Sequence, residues 1–568
     1  NGGFETSAGH IDKYAMKADS IPAKVFTFKA DVASSEGANN VELVRMYNDL
    51  STFKTPPQKV NPNIRVGIDG FPMVIFHNNG SQTYFLGKYN FNDDKGSEAV
   101  YGFSEGDQSW ETLNNTGVGA LFKQWNHVWT DDFEARYPDG SEDITALKEF
   151  VDAISGMGDD FSKEIINQYA DIDSALYYYT FTEFFLLVDS RAKNAFPTKF
   201  GTEKWCWLPY DFDTANGTNN EGRLAFGPFL ESGDILESGA KVFNGADHRF
   251  WLGIQNLYQP EIKQLYSSMR ASGFNFDYIK NRFDEHQSKW PEAVFNEDAQ
   301  FKYLDPLITS GDTYYLPMLQ GSKKSQRDWW IKNRIHYMDS KFGVADNLVN
   351  RIQLRGYASS DLALTPSTDM YIRIMWGSVE NVYRAKGNES HLFPCPIEPN
   401  DTEIYLYGCD EIKSVSGMPG LKVGFADFTK ATKLEEIILG SDAEGYTNGN
   451  LYGLNIGNLR LLKKIDCTNF NQYGLLESPD FSGCSQLQEI YFRGTKISGI
   501  TLPNGGLMRV IHLPETIASL IIKNQKKIED LTVDSYANIS TLWIENTSVD
   551  PFAMLPSIQA NARVRIVG

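Results

Sequence analysis

The 568-residue chain carries 53 Lys and Arg against 73 Asp and Glu, a formal net charge of −20. Such a surface repels phosphate backbones and no basic run offsets it, so nucleic acid is excluded as a partner. With 41% apolar and 13% aromatic residues the chain can build large cores, which excludes global disorder, and its length suggests about two to four domains.

No apolar run reaches the roughly 18 residues that span a bilayer. The opening does not read as a secretory leader, and a start at Asn1 rather than Met reads as a processed or partial chain. The five cysteines, Cys206, Cys395, Cys409, Cys467 and Cys484, contain no CxxC pair, which argues against a zinc ribbon. Their low, odd number requires no disulfide framework; Cys395–Cys409 and Cys467–Cys484 are the pairs that could bridge.

Residues 1–20 are small and polar and read as an N-terminal arm or linker. Residues 23–33 read as a strand in which Val25, Thr27, Lys29 and Asp31 form a wetter face and Phe26, Phe28, Ala30 and Val32 a buried one. "SSEGANNVELVRMYNDL" then opens a helix with Ser35 as N-cap and Gly37 weakening its first turn. Residues 65–96 read as a hairpin around "HNNGS", where Asn-Gly is a strong turn signal.

Residues 105–160 mix short aromatic elements with the acid-rich turn "PDGSED", whose acids lack the regular calcium-loop spacing. Trp125 and Trp129, four apart, read as core or as a sugar-stacking pair. Residues 171–189 predict a helix capped by Asp171, with Leu176, Phe184 and Val188 on one row and Tyr177, Phe181 and Phe185 on the next. Residues 245–295 read as mostly helical, and residues 325–342 as a helix burying Ile331, Ile335, Met338 and Phe342. Strands followed by helices make residues 21–345 an α+β domain.

The texture then changes. Residues 346–400 read as a β-rich connector and residues 401–568 as a leucine-rich-repeat-like solenoid. An apolar-x-x-apolar-x-apolar unit begins at residues 434, 462, 487, 508, 517, 528 and 539. The early spacings suit a repeat coil. The later ones are short, so either the coils tighten or some runs lie on the opposite face; spaced strands of an ordinary sandwich are the alternative.

The chemistry concentrates between residues 189 and 213. "DSRAKN" places Asn194 five positions after Asp189, the spacing of a kinase catalytic loop, where the Asp takes the acceptor hydroxyl's proton and the Asn holds magnesium. "KWCWLPYDFD" then delivers Asp211 and Asp213 at the end of an aromatic strand, a rigid mount for a metal that tolerates little error in ligand position. In the alternative, structural reading Asp189 closes a chain turn, Asn194 holds a loop and Asp211 pairs with Arg191. The eight histidines are scattered, and no HExxH, G-x-S-x-G, Walker A or G-x-G-x-x-G motif is present.

"FTFKAD", "IDGFPMVIFHN…YFLGKYNFNDDK", "DSRAKN" and "WLPYDFDTANG", in that order, resemble the CotH kinase-like family, an atypical kinase-fold group, over roughly residues 20–345. The resemblance implies Asp189 as the catalytic acid, Asn194 as a metal or loop ligand, Asp211 or Asp213 as the metal-binding acid, and Mg-ATP as cofactor if the site is active. It makes Lys29 a candidate phosphate-contacting lysine, the alternative being an exposed strand residue. The chain departs from the family pattern at Tyr210, commonly Trp, and at Ser190, which intervenes in the Asp-Arg pair.

"KADVASSEGANN" and "DSRAKNAFPTKFG…LPYDFDTANGTNNEG" are most similar to CotH-like virion proteins of tailed gut phages, crAss-like phages among them. That implies a virion structural or adsorption component, a tail or head appendage. Its kinase-like body would serve as scaffold and its repeats would bind other virion proteins or a host surface protein or glycan, homo-oligomers included. The alternative it implies is an active, secreted or cell-surface, Mg-ATP-dependent protein kinase.

Overall fold

The structure, a computed structural model, describes residues 4–6, 9–11, 13–18, 20–30, 38–113, 133–158, 160–191, 193–219, 224–235, 242, 248–301, 323–344, 351–358, 361–397, 400–417, 422–440, 451–469 and 478–567. Ser35, Gly37, Trp125 and Trp129 lie outside them. The chain divides into two compact units, Asn1–Leu348 and Val349–Gly568. Among the described residues no helix is long and apolar enough to cross a membrane.

In the first unit, the opening arm forms a small hairpin of β1 (Phe4–Thr6) and β2 (Gly9–Ile11). Lys17 then ties it to the body by an ion pair with Asp69. Strand β3 (Phe26–Lys29) is followed by helix α1 (Asn39–Leu50), short α2 (Pro56–Val60), and the expected hairpin of β4 (Gly70–Asn78) and β5 (Thr83–Asp93). The hairpin turn closes on Asn79, whose Oδ1 accepts from the amides of Ser81 and Gln82 at 3.0 and 2.9 Å.

These strands form an antiparallel sheet in the order β3-β5-β4. Lys29 stands opposite Asn90 and Asn90 opposite Pro72, so the three share a face; Phe28, Phe91 and Phe71 share the other. The expected division into one wet and one buried face does not hold, since Phe91, on the Phe28 side, is buried while Phe28 itself is not. Phe28 is 56% exposed, whereas Lys88, Asn90 and Asn92, on the Lys29 side, are buried. The cause is helix packing on the polar side: the Lys88 ammonium lies 5.8 Å from the Phe295 ring, and Arg45 of α1 donates to the Gly70 carbonyl of β4. Lys29 therefore points towards the helices.

Next come α3 (Glu98–Tyr101), β6 (Gln108–Thr112), β7 (Phe133–Tyr137), α4 (Thr145–Gly156), α5 (Lys163–Tyr169) and α6 (Ile172–Phe184). Strands β8 (Phe196–Lys199) and β9 (Cys206–Leu208) complete a second antiparallel sheet, β7-β6-β8-β9. Helices α7 (Arg249–Leu257), α8 (Gln259–Ala271), α9 (Phe276–Gln287), α10 (Glu292–Phe301) and α11 (Lys323–Phe342) follow.

Helix α6 is the spine of this unit. Asp171 caps it, accepting from Ser174 N at 3.0 Å, and every residue from Ser174 to Phe184 is buried, as for a helix wrapped by protein all round. It stops at Phe184, five residues short of the expected Asp189. Leu186 turns left-handed (φ 47°), and Leu187 N bonds back to Thr182 O at 3.0 Å, closing the last turn. The buried guanidinium of Arg334 on α11 then donates to the Phe184 carbonyl at 2.9 Å, satisfying an acceptor that the helix end leaves open.

The second unit is all β apart from 3₁₀ turns among the described residues. One sheet runs β13 (Val379–Ala385), β12 (Met370–Trp376), β15 (Asn400–Tyr407), β10 (Arg351–Ala358), β17 (Lys422–Asp427) and β19 (Gly453–Asn455). A second runs β14 (His391–Phe393), β11 (Leu362–Pro366), β16 (Ile412–Gly417), β18 (Glu436–Ile438), β20 (Lys464–Asp466), β21 (Glu489–Tyr491), β22 (Val510–Leu513) and β24 (Asp530–Val533). From β16 onward its pairings are parallel, giving a β-solenoid of about 6 turns.

Strands β23 (Ser519–Lys523), β25 (Thr541–Glu545) and β26 (Arg563–Val567) form a third, parallel sheet. This explains the short late spacings: Val510 pairs with Asp530 and Ser519 with Thr541, so successive apolar runs alternate between two sheets.

All three apolar positions of a repeat face inward. Leu434, Ile437 and Leu439 are buried, as are Leu462, Ile465 and Cys467, and Leu487, Ile490 and Phe492. Each such side chain contributes about 1.5–3 kcal/mol of burial. One continuous core runs from Ile352 to Met554, so the β-rich segment before residue 400 shares it with the repeats. All five cysteines are free. Cys467 and Cys484 do not bridge because both are spent as small apolar core residues, and neither do Cys395 and Cys409.

Candidate active site

The closed turn after α6 carries the chain into "DSRAKN". The loop is held on every side: Tyr178 donates from its hydroxyl to the Ser190 carbonyl at 2.6 Å, and Trp251 from its indole to the Arg191 carbonyl at 2.9 Å. Lys193 N returns to Asp189 O at 2.7 Å, and Asn194 N bonds Thr112 O at 2.9 Å. Asn194 sits left-handed (φ 58°), a conformation Asn tolerates better than most residues.

Both oxygens of the Asp189 carboxylate are engaged. Oδ2 accepts from Asn194 Nδ2 at 3.3 Å and Oδ1 from the Thr214 hydroxyl at 3.2 Å. Burial, then the neighbouring Asp213 carboxylate, push its pKa up to about 6, against the opposing pull of Lys193 and the Thr214 bond. Asp213 is also raised, by burial first, with Lys29 and the Thr214 backbone amide pulling it down. Asp189, Asn194, Asp213 and Thr214 therefore form one cluster, with Lys29 within electrostatic reach.

Asp211 lies beside them in a left-handed turn (φ 54°). Its Oδ1 takes an ion pair from Lys29, and Lys29 and Lys95 stand 5.4 and 5.0 Å from the Tyr210 ring. Tyr210 thus supplies an aromatic wall beside both ammonium groups. Phe212, between the two acids, is fully buried and stacks on Phe181 of α6 at 5.9 Å, which fixes the segment to the spine.

The pairing of Asp211 with Arg191 does not occur. Arg191 is buried and bound to Glu183, and it donates to the Ser232 hydroxyl at 2.6 Å. Glu183 is held at about 2: burial pushes it up, but Arg191, Lys341 and Arg334 outweigh that.

Two residues unmarked by sequence reasoning belong here. Asn39 and Asn40, both buried in the first turn of α1, reach across to the acid segment. Asn39 Nδ2 donates to the Asp213 carbonyl at 2.8 Å. Asn40 Nδ2 donates to Asp211 Oδ1, and Asn40 Oδ1 accepts from Phe212 N, both at 3.3 Å. The "ANN" triplet before an apolar-periodic run was the available signal, but a side chain that bridges 170 or more residues has no local signature. The helix itself begins at Asn39 after Ala38, with no side-chain cap.

Among the described residues no group of three or more His, Cys, Asp or Glu is placed to hold a metal. The donors present are hard oxygens: the Asp213 and Asp211 carboxylates, and Asn194 Oδ1, which its amide nitrogen's bond to Asp189 turns away from that carboxylate. That donor set fits a magnesium ion that arrives with nucleotide phosphates and keeps one or two protein carboxylates, rather than a resident metal in an all-protein cage.

No curated protein matches the chain. Residues 100–316 match the family model described as CotH kinase protein, a span that holds Asp189, Asn194, Asp211 and Asp213 and leaves Lys29, Asn39 and Asn40 on its amino-terminal side.

Proposed function

We propose that this cluster is a phosphotransferase site that uses a magnesium-bound nucleotide. The observation that carries the reading is the convergence of Lys29, Asp189, Asn194, Asp211 and Asp213 from separate segments on one place, with the Asp189 carboxylate locked by Asn194 and Thr214. Asp189 takes the proton of the acceptor hydroxyl as that oxygen bonds the γ-phosphorus and the bond to the β-bridging oxygen breaks. Lys29 neutralises phosphate charge, and Asp211, Asp213 and Asn194 are the residues that would hold the metal. When bound, the metal supplies positive charge over the phosphoryl oxygens.

A second reading is favoured by one specific observation: Lys29 is engaged by Asp211 rather than standing open for a phosphate. In that reading the kinase-like body is a scaffold in a virion or surface component. The exposed faces of the solenoid strands would then bind another virion protein, or a host protein or glycan; the sequence resemblance supports it.

Transfer of labelled γ-phosphate with magnesium or manganese, to the chain itself and to added acceptor proteins, separates the two. The phosphotransferase reading expects incorporation that Asp189→Ala and Asp211→Ala both abolish. Absence of incorporation with either metal, together with absence of nucleotide binding, leaves the scaffold.

A further inference from the structure

The segment Asp211–Phe212–Asp213 is strained where it must be accurate. Asp211 is left-handed, which costs a non-glycine residue about 1–2 kcal/mol, so its conformation has to be compensated by contacts. From outside the segment, α1 supplies three of them through its first turn: Asn39 to the Asp213 carbonyl, and Asn40 to both the Asp211 carboxylate and the Phe212 amide. Only a carboxamide does what Asn40 does, donating from one atom and accepting at the other. An aspartate there keeps the acceptor but sets a second negative charge against Asp211.

Helix α1 cannot slide away from this contact cheaply. Glu42, one turn on, is buried and bound by His286 at 3.1 Å and by Arg45, while Arg45 also donates to Asp69 at 2.8 Å and to Gly70 O. In protein kinases the strand lysine pairs with an acid on a helix that is moved to switch the enzyme. Here Lys29 pairs with Asp211, Glu42 is held inside the core, and α1 meets Asp211 directly through Asn40.

We infer that Asn40, seconded by Asn39, is the positioning residue that holds Asp211 in metal-binding orientation, and that α1 is a fixed strut of the site rather than a movable switch. The inference rests on the phosphotransferase reading for its purpose, though not for its geometry, and its test has two arms.

In the first arm, hydrogen exchange of the peptide spanning residues 208–216 is followed in the full chain without nucleotide. Asn40→Ala should speed exchange at Phe212 by about ten-fold or more, as for a lost hydrogen bond, while peptides of α6 stay unchanged. Unchanged exchange at Phe212 overturns the inference, whether or not nucleotide binds.

In the second arm, manganese-ATP affinity is measured by calorimetry in a double-mutant cycle of Asn40→Ala with Asp211→Asn. The expected result is a loss of about ten-fold for Asn40→Ala alone and less than about two-fold in the Asp211→Asn background. Equal losses in both backgrounds, or no loss alone, overturn it. Failure of the unmutated chain to bind manganese-ATP instead overturns the phosphotransferase reading and leaves the exchange arm to decide the geometry.

Discussion

The two units of this chain obey local rules to different degrees. In the solenoid, pattern and burial agree almost coil for coil: Ile437, Ile465, Ile490 and Ile511 stack in register and all are fully buried. In the amino-terminal unit the rules fail in specific places. Lys88, Asn90 and Asn92 of one strand are buried, Leu186 and Asp211 are left-handed whereas the left-handed non-glycine residues described in the second unit are all asparagine, and Glu183, Arg191 and Arg334 are buried. Leu186 and Asp211 stand within a few residues of Asp189 and Asp213. Departures from local preference cost stability and are expected at functional sites, and the regular stacking of the solenoid's apolar positions is the contrast.

The contrast can be broken by substitution. The largest effect should come at the cluster. Asp189→Ala should lower phosphate transfer by about three orders of magnitude or more, with hydrogen exchange in the solenoid unchanged.

Next comes the buried charge network. Glu183→Gln leaves Arg191 and Arg334 without their carboxylate and should destabilise the amino-terminal unit by about 3–5 kcal/mol near neutral pH. Because the folded pKa of Glu183 is depressed to about 2, its contribution is fully present above its unfolded value and is lost as pH falls through that folded value. The gap between mutant and parent, read by hydrogen exchange, should therefore close as pH falls. A gap that does not depend on pH would mean the effect is packing rather than charge.

In the solenoid, Ile490→Ala should cost about 2–4 kcal/mol by cavity formation, with no change in nucleotide affinity. The smallest effect is expected at the exposed pair Lys463–Glu435 between neighbouring coils. Lys463→Ala should change stability by less than about 1 kcal/mol, and a larger loss would show that inter-coil ion pairs matter more here than surface pairs usually do.

The sequence was legible where information is local. The repeat unit marked the inward positions, and "DSRAKN" and "DFD" marked the acids, because spacing along one short stretch decides both. Four features were not legible for physical reasons. Asn39 and Asn40 act across more than 170 residues. Arg191 pairs with Glu183, buried like itself, while Asp211 takes Lys29, a choice that no spacing encodes. The FTFK strand alternates as a surface strand does, yet helix packing decided which face was covered. The end of α6 came early because a left-handed Leu186 has no glycine to announce it.

The central claim is that the clustered oxygens bind a metal-nucleotide, and thermal unfolding of the full chain with ATP and manganese tests it most directly. A ligand that binds only the folded state adds about 2.7 kcal/mol at a hundred times its dissociation constant. The account predicts a rise in the first unit's transition that disappears in Asp211→Ala and Asp213→Ala. An unchanged transition at saturating ATP and metal, in a chain that is otherwise folded, would contradict it.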